Sequence, residues 1–66
     1  MLRLSVVGIE KLNTIADKYK FRNHYEIEQE EVLEFCTLFL RCINLGLNVD
    51  DEDYKFIIDI QEKLSQ

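Results

Sequence analysis

The sequence predicts an all-α fold, a small bundle of three short helices, and three observations carry that expectation. Val32 to Leu47 is apolar at eleven of sixteen positions, and its polar residues Glu34, Thr37, Arg41 and Asn44 are spaced 3, 4 and 3 apart. That spacing is the repeat of one helix face. The chain has no proline and only two glycines, Gly8 and Gly46, so little in it interrupts a helix. Finally, Asp50-Asp51-Glu52-Asp53 stands directly before an amphipathic stretch. Carboxylates there cap free N–H groups and offset the positive end of the helix dipole.

The first helix is expected over about 7–21. Ile9, Leu12, Ile15, Ala16 and Tyr19 recur at helical spacing, with Lys11, Asn13, Thr14, Asp17 and Lys18 on the other face. Leu2, Leu4 and Val6 alternate with Arg3 and Ser5, which makes a short strand the competing reading of 1–6. Lys18, Lys20 and Arg22 suit a helix C-terminus, and Glu26, Glu28, Glu30 and Glu31 suit the next N-terminus. With Asn23 and Glu26 as a relaxed capping box, the second helix is expected over about 24–46. Gly46 should end it in the left-handed conformation, with Leu47 folding back.

The third helix is expected over about 51–65. Asp50 is its N-cap, Asp53 its third residue, and Val49 should staple onto Tyr54. Tyr54, Ile57, Ile58 and Leu64 form the apolar face, widened by Phe56 and Ile60. Asp51–Lys55 and Asp59–Lys63 are spaced as supporting ion pairs.

A single domain of 66 residues buries only about 60% of its unfolded surface, and small cores usually need a supplement. The central helix is apolar nearly all round and must be covered on several sides. The sequence therefore predicts a homodimer through Val32, Phe35, Cys36, Phe39, Leu40 and Ile43. Cys36 and Cys42 lie six apart, point to different helix faces and cannot bridge each other. Both are expected to be free and buried, in a reducing cytoplasm. The 32–47 run is shorter than the roughly 20 residues that span a bilayer and carries Glu34 and Arg41, so no membrane span is expected.

Net charge is −5 and is unevenly distributed. Residues 1–25 carry five cations against Glu10 and Asp17, giving +3; residues 26–66 carry eleven acids against three cations, giving −8. No Ser/His/Asp or Cys/His arrangement, glycine-rich phosphate loop or CxxC is present, so the chain reads as a non-enzyme without a cofactor. His24, Glu28 and Glu31 share a helix face on paper, but a lone His with two carboxylates reads as a cap or a surface pair. Residues 50–53 lack the alternating ligands and turn glycine of a calcium loop.

What remains is macromolecular recognition. The expected function is that of a small acidic protein that binds and regulates or inhibits a protein partner, with Glu28, Glu31, Asp51 and Glu52 as contacts. Size and charge fit a phage- or mobile-element-encoded inhibitor of host machinery. The alternative uses Lys18, Lys20, Arg22, His24 and Tyr25, where cations alternate with aromatics as on single-strand binding surfaces. The acidic remainder would repel a phosphate backbone, so nucleic acid is not the expected partner. A third reading has the carboxylates mimic DNA.

Overall fold

Ser5 starts the first helix. In the computed structural model, which describes residues 3–21 and 26–65, its Oγ accepts a hydrogen bond from the Gly8 N–H at 3.1 Å and caps α1, Val6–Lys18. Residues 3–5 form no strand. Gly8 occupies the position where a capping-box glutamate would have marked this start. The glycine is needed because Leu4 lies across it: a Cβ there would sit 2.7 Å from Leu4 Cγ.

α1 stops earlier than the expected residue 21. Lys20 adopts φ +52°, its N–H donates to the Asp17 carbonyl at 3.1 Å, and the Phe21 N–H donates to the Ala16 carbonyl at 2.8 Å. This is a Schellman motif built without glycine. Burial of Phe21 drives it: its ring meets Phe35 at 5.4 Å and Phe39 at 5.1 Å, both edge-on.

The second helix is also shorter than the expected 24–46. Residues 26–28 are irregular, Ile27 is buried, and its N–H donates to Asn13 Oδ1 at 2.7 Å. A bond to α1 and an apolar contact outweigh the helical propensity of this segment. A single 3-10 turn, Gln29–Glu31, then leads into α2, Val32–Asn44. The Glu28 N–H donates to Glu31 Oε1 at 2.9 Å and the Glu31 N–H to the Glu28 carbonyl at 2.9 Å. The entry is thus bracketed by Glu28 and Glu31. The expected pairing of Asn23 with Glu26 involves a residue outside those described. The exit follows expectation: Gly46 has φ +117°, and the Leu47 N–H donates to the Cys42 carbonyl at 3.0 Å.

α3 spans Asp51–Leu64. Asp50 has the extended backbone of an N-cap, yet its side chain makes no capping bond. Of the two expected ion pairs, Asp59–Lys63 forms at 3.0 Å; Asp51–Lys55 does not.

α2 packs against α3, and the core draws Leu12, Ile15 and Ala16 from α1, Ile27 from the connection, and Ile57 and Ile60 from α3. The six residues expected at a dimer seam belong to this core or pack against it. Val32, Cys36 and Phe39 have no exposed surface and Phe35 has 7%, while Leu40 and Ile43 are half-buried against the same core. The single chain covers them because Phe21 and Ile27 fold back over α2, which a reading of helices alone does not anticipate. Phe39 is the centre, with Tyr19, Phe21 and Phe35 rings at 5.8, 5.1 and 5.5 Å. Each such pair adds about 0.5–1.5 kcal/mol beyond area burial. The radius of gyration, 11.0 Å, matches the roughly 10.8 Å expected of a compact chain this long.

Candidate functional site

A polar clamp joins the end of α1 to the start of α3. Tyr19 donates its hydroxyl proton to Asp53 Oδ2 at 2.6 Å and accepts the Asp50 N–H at 2.9 Å. Lys18 Nζ donates to Asp50 Oδ2 at 2.6 Å and to Asp53 Oδ2 at 3.0 Å. In a capping box the third helical side chain satisfies the N-cap N–H. Here a tyrosine from another helix does so, and the aspartates are turned toward α1. The Tyr19 hydrogen bond and then Lys18 hold the Asp53 carboxyl below its ordinary range, and the bonds to Asp50 and Asp53 raise Lys18. The Lys18–Asp50 pair is exposed, so solvent screens its attraction. The Tyr19–Asp53 bond, with Asp53 12% exposed at its side chain, is the stronger arm. The sequence reading placed Asp53 as a cap and missed the tyrosine; a tyrosine among lysines carries no mark of a partner 34 residues away.

The clamp also bears on the basic–aromatic segment. Lys18 is committed to two carboxylates, Tyr19 is half-buried against Phe39, and Phe21 faces the core. These rings are not free to stack on bases, and Lys20, exposed and in no salt bridge among the described residues, is the cation of this half that no carboxylate holds. Arg22, His24 and Tyr25 lie outside the described residues.

The four acidic residues expected to meet a partner are all exposed, but they fall into two pairs on different elements. Glu28 and Glu31 bracket the turn before α2; Asp51 and Glu52 sit in the first turn of α3. The 13 residues of α2 separate them along the chain, a helix on the order of 20 Å long. Among the described residues, no group of three His, Cys, Asp or Glu side chains is placed to hold a metal ion. Cys36 is buried, which pushes its thiol up to about 12, and Cys42 is only half-buried, a correction to the expectation that both are enclosed.

The outer face of α2 was not singled out as a site, and it is the most distinctive surface. Glu34, Leu38, Arg41 and Leu45 follow one another at intervals of 4, 3 and 4 and form one stripe. Leu38 is 41% exposed and Leu45 81%. Their periodicity was visible; that this flank would stay uncovered was not. Among the described residues no helix is long and apolar enough to cross a membrane.

No protein-family model matches this chain, and comparison with curated proteins and with solved structures gives no significant match.

Proposed function

We propose that this chain is a non-catalytic binding protein that engages a protein partner through the outer face of α2 and the acidic turn leading into it. The observation that carries this reading is the pair Leu38 and Leu45. They lie seven residues apart, remain exposed after folding, and are flanked by Glu34 and Arg41. Helices that dock into grooves present apolar anchors at this spacing. The carboxylates at Glu28, Glu30 and Glu31, all exposed just before α2, favour a partner whose groove has a basic rim and would set the rate of approach more than the final affinity. Asp51 and Glu52 offer a second acidic contact. Binding of this kind regulates or inhibits what it covers, and an inhibitor of host machinery encoded by a phage or mobile element is the setting that fits size and charge.

The test is capture of a partner from the native host by the wild type and by a Leu38→Asp/Leu45→Asp variant of unchanged helicity and melting temperature. Loss of capture in the variant supports the α2 face; unchanged capture refutes it. Reversal of Glu28 and Glu31, and separately of Asp51 and Glu52, shows which acidic pair steers association. A second copy is the competing occupant of the same face. Light scattering that gives twice the 7.9 kDa chain mass, reverting to one chain in the Leu38/Leu45 variant, would replace the partner with a dimer.

A further inference from the structure

A groove of about 330 Å³ opens between the first half of α1 and the second half of α3. Leu4, Val7, Gly8, Phe56, Ile60 and Leu64 give it apolar walls. Phe56, Ile60 and Leu64 are four residues apart, so that wall runs roughly 12 Å along one helix face. Leu4 forms the opposite wall because Gly8 has no side chain to keep it away. The rim is cationic: Arg3, Lys11 and Lys63 line it with Asp59, three cations against one carboxylate, in a chain of net charge −5. Asp59 is already paired to Lys63 at 3.0 Å. Arg3 and Lys11 are exposed, and neither lies in a salt bridge among the described residues. Lys11 Nζ is held 4.5 Å over the Phe56 ring, so its charge sits at the lip of the apolar slot.

We infer that this groove binds a free single-chain amphiphile with a carboxylate head, a medium-chain fatty acid in chemical class, its tail along Phe56, Ile60 and Leu64 and its head on the cationic rim. The volume lies at the small end of ligand pockets, about 300–1,000 Å³, and suits one alkyl chain. An anionic head answers the excess positive charge of the rim, and the Arg3 guanidinium can donate two parallel hydrogen bonds to a carboxylate. A bilayer surface is a poorer fit, because the apolar residues line a slot and the acidic remainder of the chain is repelled by anionic leaflets. The groove shares no residue with the outer face of α2, so the two proposals stand or fall separately.

Decanoate, kept below its micellar concentration, is the probe, followed by calorimetry and by amide chemical shifts on the full chain. Saturable one-to-one binding is expected, with shifts concentrated at residues of the groove, and affinity at least tenfold greater than for decanol. Arg3→Glu/Lys11→Glu should abolish binding and the milder Arg3→Gln/Lys11→Gln should weaken it severalfold, both with unchanged helicity. Equal affinity for decanol, full affinity in the double variants, or absence of saturation would overturn the site. Association with anionic vesicles but not with monomeric decanoate would overturn it in favour of a membrane contact.

Discussion

The Tyr19 hydroxyl lies 2.6 Å from the Asp53 carboxylate while accepting the Asp50 N–H at 2.9 Å. One side chain therefore fastens the start of α3 to the end of α1. The two acidic residues that a sequence reading assigns to helix capping are tertiary contacts in the folded chain. Tyr19→Phe keeps the ring beside Phe39 and removes only the hydroxyl. It takes the acceptor from the Asp50 N–H and leaves Asp53 Oδ2 with Lys18 alone, so we expect a loss of about 1.5–2 kcal/mol in urea unfolding. A loss below a few tenths would show that the clamp adds nothing to stability.

Acid should release the same clamp. Asp53 titrates below its ordinary value of 3.8, chiefly because of the Tyr19 bond and then Lys18. A carboxyl depressed on folding stabilises the native state fully above its unfolded value and loses that contribution as pH falls through the folded one. The stability gap between wild type and Asp53→Asn should be constant above about pH 5 and shrink as pH drops below about 4. Melting curves of both proteins across pH 2–7 check this, and a gap independent of pH would contradict it.

Lys20 is in the left-handed region at φ +52°, where a side chain costs roughly 1–2 kcal/mol and glycine almost nothing. Lys20→Gly should raise the melting temperature by about 4–8 °C for each kcal/mol gained. The reciprocal change, Gly46→Ala at φ +117°, should lower stability by about 1–2 kcal/mol even though nothing lies within 4 Å of the new Cβ. Opposite signs in the two variants are the expected result.

The cysteines should react in order. Cys42 is half-buried and Cys36 fully enclosed with a thiol pushed up to about 12. Thiol labelling at pH 8 should modify Cys42 first, and Cys36 on the order of tenfold more slowly or less, at the rate of local opening. Equal rates would mean that the core around Cys36 is not closed.

Phe39→Ala should unfold the chain. The substitution costs about 3–5 kcal/mol, against a total of roughly 3–10 kcal/mol for 66 residues at the usual stability per residue. Loss of the cooperative thermal transition is the expected observation.

The three helices were legible in the sequence because their signals are local. Apolar spacing over 32–47, Gly46 followed by Leu47, and the acidic run before Tyr54 each act within a few residues, and the structure honours all three. The failures share one cause. Phe21 and Ile27 gain more from burial against α2 than from continuing a helix, so α1 ends early, α2 begins late, and Val32, Phe35, Cys36 and Phe39 are covered from within the chain. Likewise Asp50 and Asp53 meet Tyr19 and Lys18 across more than thirty residues, and Leu38 and Leu45 stay exposed because nothing folds over that flank. Periodicity fixes which side chains share a helix face. Which face is then covered, and by what, depends on contacts between residues far apart in the chain, and only the tertiary structure decides that.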